Sequence, residues 1–139
     1  MISEDGDVEL YELTNENLKQ KCREWNSDDC ICCLEHVGSS PQMGVTSAFN
    51  FGDGFGQVKG ILEALEIPYE LVHPIKWKKL FSCTLGKSAT TKEKKEKDLE
   101  VARRLFPHVD FKRTAKCKSP WYDAADAILL AEYGRRMRR

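Results

Sequence analysis

Three carboxylates in two separate parts of the chain are the residues best suited to chemistry. Glu35 ends an apolar run that begins at Ile31, and Asp123 and Asp126 open an alanine-rich segment far downstream. A carboxylate removed from water costs several kcal/mol unless a cation or hydrogen-bond donors compensate its charge, so acids in apolar segments predict a shared divalent metal ion. Metal ions held by carboxylates in this way are typical of phosphodiester hydrolysis.

The spacing of the two aspartates places them on one helical face. Residues three apart in a helix are neighbours, and acids in the first turns are stabilised by the helix dipole. Capping and solubility are the structural alternative for such a pair. The alanines around the pair would let the helix lie close to a sheet, with Glu35 as the natural third ligand. The hypothesis requires Glu35 to lie within about 10 Å of the aspartates, because two ions about 4 Å apart bridge no more than that.

Length and composition indicate one globular domain. A chain of 139 residues with 41% hydrophobic content fits a single core, since domains commonly contain about 100 to 150 residues. No apolar stretch approaches the roughly 20 residues of a membrane span, and residues 1–5 are acidic where a signal peptide would be basic. We therefore expect a soluble, intracellular protein whose six cysteines are reduced thiols, with no zinc or thioredoxin-like redox site.

A net charge of zero conceals a strong segregation along the sequence. Residues 1–35 carry 3 Lys and Arg against 10 Asp and Glu, residues 36–73 carry 1 against 4, and residues 74–139 carry 18 against 8. Because Lys and Arg contacts to phosphate supply most of the sequence-independent affinity for nucleic acid, the basic C-terminal half favours a polyanionic partner. A solvated, lysine-rich surface is the structural alternative.

The residue patterns predict an α/β protein in the order β-α-β-α-β-α-α-α, with helices packed on the faces of a sheet and a further β element ahead of the first strand. In the first half we expect an edge strand over 8–13, a helix over 15–25 that Thr14 caps and a turn over 26–29 closes, a central buried strand from Cys30, and a loop over 38–51. A helix to about residue 66, a strand over 67–73 and helices over 74–81 and 92–106, with a loop over 84–91 between them, are expected next. The last helix is expected to be capped by Ser119 and to end near Gly134, before a basic tail over 135–139.

Several segments, taken in order, carry a resemblance to a known family. They are residues 34–37 (Leu-Glu-His-Val), 44–52 (Gly-Val-Thr-Ser-Ala-Phe-Asn-Phe-Gly), 74–79 (Pro-Ile-Lys-Trp-Lys-Lys), 95–96 (Lys-Glu) with 102–107 (Ala-Arg-Arg-Leu-Phe-Pro), and 123–134 (Asp-Ala-Ala-Asp-Ala-Ile-Leu-Leu-Ala-Glu-Tyr-Gly). The ordered set resembles the RuvC-type Holliday-junction resolvases, especially the compact forms of phages and prophages, over nearly the whole chain.

This resemblance implies a fold, a substrate and a metal site. The implied fold is RNase H-like, a mixed sheet flanked by helices. The implied protein is a cytoplasmic homodimer of a bacterial or phage-infected cell that binds four-way (Holliday) or branched DNA in recombination and repair. Cleavage in the family uses two divalent ions, Mg²⁺ or Mn²⁺, held by four acids, and Glu35, Asp123 and Asp126 match three of them.

The fourth acid is where this sequence departs from the family. There it is an aspartate in an Asp-Pro-Gly context on the first strand, and the matching strand here would lie upstream of Met1. We therefore expect an incomplete site in a chain that lacks its first strand. Since a misplacement of about 1 Å can cost on the order of 100-fold in rate, we expect weak or absent cleavage.

Binding to DNA depends on scattered charge and is expected to survive better. Lysines near two helix starts are candidates for phosphate contacts, and two aromatics of the 38–51 loop are candidates to wedge into opened base pairs. These candidates are Lys76, Lys78, Lys79, Lys92, Lys94, Lys95, Phe49 and Phe51. A place in the core is the structural alternative for each aromatic.

Three functions stay open on the sequence. The first is a junction-resolving, metal-dependent endonuclease that is impaired in this chain. The second is a protein of the same fold that binds junctions without cutting them, and adding an upstream strand that carries the missing aspartate discriminates between the two. The third is an interaction module of the same fold, which would show no junction binding at low salt.

Overall fold

The computed structural model describes residues 1–3, 5–25 and 30–138, so the turn expected over 26–29 lies outside the described residues. In these ranges the protein is α/β, with five helices and a small parallel sheet of two strands. The elements are α1 (Asn15–Glu24), β1 (Cys32–Glu35), α2 (Val45–Ala64), β2 (Tyr69–Val72), α3 (Pro74–Leu80), α4 (Thr91–Leu105) and α5 (Tyr122–Met137). None of the helices in the described ranges combines the length and apolarity that a membrane span requires.

The chain divides into two compact units. Tyr11–Leu71 forms one, called the sheet unit, and Met1–Leu10 with Val72–Arg139 forms the other, called the helical unit. The alternation of strands and helices agrees with the expected α/β class. A single domain and the RNase H-like topology stay predictions.

The sheet unit is built on α1, α2 and the strand pair. Thr14 caps α1 as expected, because its hydroxyl accepts a hydrogen bond from the backbone N–H of Asn17 at 3.1 Å. The core is made by one face of α1 and the end of α2 with the residues that follow it: Leu18, Cys22, Leu62 and Ile67. The expectation of a central, buried β1 is wrong, since all four of its residues are half-buried and β2 is its one neighbour among the described strands.

The second half of the expected 38–51 loop is helical. The helix α2 begins at Val45, directly after Gly44, and the backbone N–H of Ala48 donates to the carbonyl of Gly44 at 2.9 Å. Phe49 and Phe51 therefore lie on a helix and not in a loop. A Cβ added at any of the four helical glycines of α2 would meet nothing within 4 Å, so no backbone among the described residues approaches them closely. These glycines are Gly52, Gly54, Gly56 and Gly60.

The helical unit is organised around α5, which packs against α3 and α4. Ala125, Ile128 and Leu129 of α5 are fully buried, as are Trp77 of α3 and Ala102 of α4. The small alanine side chains allow close contacts with these helices. The close approach of this segment to a sheet, which the sequence predicted, stays a prediction. The edge strand expected over 8–13 is reduced to a single antiparallel bridge between Ile2 and Val8.

Both ends of α5 differ from the expected ones. The helix begins at Tyr122 and not at Pro120, because the N–H of Trp121 donates to the carbonyl of Phe111 at 2.8 Å and holds Trp121 outside the helix. It continues past Gly134 to Met137, since Arg135 and Arg136 both pair with Glu132 one turn earlier. Arg135 and Arg136 are thus part of the helix and not of a frayed tail.

Candidate functional site

The two aspartates of the predicted site lie on the first two turns of α5. The Asp123 side chain is 69% exposed, and the Lys95 ammonium of α4 lies 3.1 Å from its Oδ1 atom. Asp126, one turn later, is half-buried. The structure therefore brings the two acids together on one helix and adds a cation that the sequence had assigned to phosphate.

Glu35, the third predicted ligand, is the last residue of β1 and is half-buried. It belongs to the sheet unit, whereas the two aspartates belong to the helical unit. Its convergence with Asp123 and Asp126 stays a prediction.

The donor atoms around α5 suit a hard divalent cation in type. Carboxylate oxygens are the ligands that Mg²⁺ and Mn²⁺ prefer, and Mg²⁺ usually needs only one or two carboxylates beside water and substrate phosphates. The acids of one α5 face meet that minimum. Within each unit, taken over the described residues, no group of three or more His, Cys, Asp and Glu side chains is placed to hold a metal ion.

The six candidate lysines fall into two kinds of environment. Lys76, Lys79 and Lys94 are exposed. Lys92 is 80% exposed and lies 3.8 Å from Glu96 across one helical turn. These four point their charge at solvent, which a phosphate contact requires.

Lys78 is engaged inside the helical unit. Its ammonium lies 2.8 Å from Oδ2 of Asp98, whose side chain is 1% exposed, and 4.9 Å from the centre of the Trp77 ring. A buried carboxylate needs such a cation to offset its desolvation. Lys78 is thus the weakest phosphate candidate of the six.

Asp98 also changes the chemistry of a neighbouring thiol. Burial, together with the negative charge of Asp98 and a hydrogen bond to it, raises the pKa of Cys83 to about 12. The Cys83 thiol is therefore protonated and inert at neutral pH. Sequence reasoning missed this cluster, although an aspartate directly before Leu99 on the inner face of a helix is a signal for a buried acid.

A second buried acid lies near the end of α5. Glu132 is 3% exposed and accepts hydrogen bonds from Arg135 at 2.6 and 3.0 Å and from Arg136 at 2.7 Å. Burial alone would raise the pKa of Glu132, but the two guanidinium groups outweigh it and lower this pKa below its usual value. The arginines of the predicted basic tail thus have a structural role.

The aromatic candidates are at the surface. Phe49 is 74% exposed and Phe51 is 44% exposed. The structural alternative, a place in the core, is therefore wrong for both.

The cysteines show one pattern that sequence reasoning overlooked. Cys30 and Cys33 have the Cys-x-x-Cys spacing at the start of β1. Burial and the neighbouring thiols raise the pKa of Cys32 to about 12, and burial raises that of Cys22. These two thiols act as small core side chains, and the structure places none of the six cysteines in a disulfide bond.

No protein-family model matches the chain, and the search of curated proteins gives no significant match.

Proposed function

We propose that this protein is a metal-dependent endonuclease of the RuvC type that acts on four-way DNA junctions, with impaired cleavage because the fourth acid of the family's metal site has no match in this sequence. The observation that carries the proposal is the pair of carboxylates at the start of α5, an exposed Asp123 and a half-buried Asp126, with the Lys95 ammonium beside Asp123. An acid with a purely structural role is buried and paired with cations, as Glu132 is, whereas the Asp123 side chain is 69% exposed. Exposed acids beside cations suit a phosphodiester, because the acids can hold a divalent ion and the cations can bind the phosphate.

Asp123 and Asp126, with Glu35 as the expected third ligand, are the residues that would hold the ion. A bound Mg²⁺ or Mn²⁺ ion supplies activation of water and stabilisation of the leaving oxygen in phosphodiester hydrolysis. The exposed lysines of α3 and α4 would bind the DNA backbone, and Phe49 and Phe51 would separate base pairs at the crossover. A homodimer would hold two such surfaces against the arms of a junction.

Gel mobility with a synthetic four-way junction and with a linear duplex of the same sequence tests the substrate class. We expect junction binding at protein concentrations that leave the duplex unbound. Raising salt from 50 to 200 mM is expected to weaken binding about 1000-fold or more, as for proteins with six to ten phosphate contacts. Equal binding to both DNAs, or a flat salt response, would contradict the proposal.

Cleavage with Mg²⁺ or Mn²⁺ tests the chemistry. Wild-type cleavage is expected to be weak, and Asp123→Asn is expected to abolish what remains of it and to leave junction binding intact. The matched control is Asp110→Asn, which removes one exposed acid of the same unit outside the α5 face. Cleavage that survives Asp123→Asn, or that fails equally in the control, would remove the carboxylates from the mechanism.

A second candidate is a protein that binds junctions without cutting them. The Lys95–Asp123 ion pair favours it, because an ammonium 3.1 Å from the carboxylate already compensates the charge that a metal ion would neutralise. This candidate predicts junction binding with no cleavage in either metal, and identical binding by wild type and Asp123→Asn.

A further inference from the structure

A cavity of the helical unit lies directly beside Asp123. Its volume is about 320 Å³, which is at the lower end of the roughly 300–1000 Å³ of small-molecule sites. Its walls are the segment before α5, the first residues of α5 and one side chain of α4. They include Lys95, Arg113, Lys118, Trp121, Tyr122 and Asp123.

The walls combine positive charge with aromatic surface. Three cations face one carboxylate, and the Arg113 guanidinium lies 5.7 Å from the centre of the Trp121 ring. A ring that accepts a planar guanidinium also accepts a nucleobase, and guanidinium and ammonium groups pair with phosphate. The chemistry of the walls thus matches a base and a phosphate joined in one molecule.

The start of α5 adds to the same preference. No side chain caps its first turn, and Trp121 at the N-cap position makes no capping hydrogen bond. The first N–H groups of a helix carry partial positive charge and favour an anion. This contribution supplements the three cations and would not define a site without them.

We propose that this cavity receives one nucleotide of a DNA strand, with its base on Trp121 and its phosphate between Arg113 and Lys118. The next phosphate of the strand then lies at the exposed carboxylate of Asp123. This inference rests on the proposed function, because it assigns to the cavity the nucleotide beside the phosphate to be cleaved. It extends that function by giving the segment over 113–121 a role in holding the strand.

Cys117 in the wall of the cavity provides a direct probe. A hydrogen bond with Thr114, at 3.2 Å between Oγ1 and Sγ, together with the nearby charge of Arg113, lowers the pKa of the Cys117 thiol. Cys22 and Cys83 are buried and have raised pKa values, so Cys117 is expected to react much faster than either. Alkylation by iodoacetamide, followed by peptide mass spectrometry, measures its accessibility in the intact protein.

The experiment compares the alkylation rate of Cys117 with and without a short single-stranded oligonucleotide, a deoxynucleoside monophosphate or inorganic phosphate. A ligand at about ten times its Kd leaves about one tenth of the cavities empty, so alkylation is expected to slow about tenfold. Protection by the monophosphate identifies the nucleotide as sufficient, and protection by the oligonucleotide alone identifies the strand as its source. Equal protection by inorganic phosphate, or no protection by any of the three, overturns the proposal.

Two lysine variants test whether the protection of Cys117 depends on the cavity wall. Lys118→Ala is expected to weaken ligand binding about tenfold, as for loss of a charged hydrogen bond, so that the same ligand concentration slows alkylation only about twofold. The matched control Lys116→Ala removes the same charge from an exposed position of the same loop outside the cavity and is expected to keep the protection. Equal protection in wild type, Lys118→Ala and Lys116→Ala overturns the assignment, and this comparison is made within each protein, so it does not depend on the reactivity of the free thiol.

The two proposals fail separately. Junction binding in gels without protection of Cys117 overturns the cavity and leaves the proposed function standing. Protection of Cys117 by the monophosphate without any junction binding supports the cavity and overturns the junction-specific function.

Discussion

Two lysine–aspartate ion pairs of the helical unit join the same functional groups in opposite surroundings. The Lys78–Asp98 pair has an N···O distance of 2.8 Å and an aspartate that is 1% exposed. The Lys95–Asp123 pair has a distance of 3.1 Å and an aspartate that is 69% exposed. Distance alone therefore does not separate a structural acid from a functional candidate.

The solvent exposure of the aspartate distinguishes the structural acid, Asp98, from the functional candidate, Asp123. A buried carboxylate cannot lose its cation without a large desolvation cost, so Asp98 is committed to Lys78. An exposed pair contributes little to stability and can exchange partners readily. Asp123 is therefore the acid whose partner can be replaced, which is the property that a ligand of a metal ion or a neighbour of phosphate requires.

The largest expected difference between the two pairs is in the free energy of unfolding when each aspartate is replaced by alanine. Asp98→Ala is expected to lower the free energy of unfolding by about 3 kcal/mol, at the lower end for buried pairs because Lys78 can still reach water. Asp123→Ala is expected to change it by less than about 0.5 kcal/mol. Urea unfolding followed by circular dichroism measures both, and equal losses would break the comparison.

The contrast between buried and exposed side chains extends to the phenylalanines of α2. Phe49→Ala is expected to leave the free energy of unfolding unchanged within about 0.5 kcal/mol. It is expected to weaken junction binding by about 2 kcal/mol, the typical loss for one base–aromatic stack. Fluorescence of 2-aminopurine at the crossover reports the separation of bases, and Val45→Ala, another exposed apolar residue of α2, is the control. An unchanged junction affinity for Phe49→Ala would assign the exposed ring no part in DNA binding.

Glu132 adds a second buried acid to the comparison, and its contribution to stability is expected to depend on pH. Its pKa is lowered in the folded protein, so its stabilising contribution is complete above the pKa of the unfolded chain, near 4.3, and is lost as pH falls through the folded value. Glu132→Gln is expected to cost about 1.5 kcal/mol at pH 7. Unfolding at a series of pH values should show the difference between wild type and variant shrinking below about pH 4. A constant difference down to pH 3 would mean that the arginine contacts do not depend on this charge.

The smallest effect concerns the exposed pair itself. A double-mutant cycle on Lys95→Ala and Asp123→Ala is expected to give a coupling energy of about 0.2 to 1 kcal/mol at low salt, falling towards zero at 1 M salt. The same cycle on Lys78 and Asp98 should give a larger value that salt changes little. Similar coupling energies for the two pairs would show that exposure does not distinguish them.

Local signals in the sequence explain which elements were predicted correctly. Thr14 and Pro74 mark the starts of α1 and α3 within a residue, because capping and the fixed proline φ act on neighbouring backbone atoms. The start of α5 was wrong because a hydrogen bond from Trp121 to the distant Phe111 decides it. The pairing of Asp98 with Lys78 was missed for the same reason, since the two residues lie twenty positions apart in the sequence.

Within the candidate site, too, contacts between sequence neighbours could be predicted and contacts between distant residues could not. The pairing of Asp123 with Asp126 follows from a spacing of three on one helix and could be read from sequence. The contact of Asp123 with Lys95 depends on the packing of α4 against α5, and the cavity over 113–121 depends on how an irregular segment folds back on a helix end. No periodic pattern in the sequence predicts either the Lys95–Asp123 contact or the cavity.

The glycines of α2 have a consequence for its motions. Four glycines within a helix cost roughly 4 kcal/mol relative to alanine, and the one buried residue of this helix, Leu62, lies near its C-terminal end. The early turns therefore have little tertiary contact to offset that cost, and their amide protons should exchange with solvent faster than those near Leu62. The segment that displays Phe49 and Phe51 can thus change its conformation while the core around Leu62 stays folded.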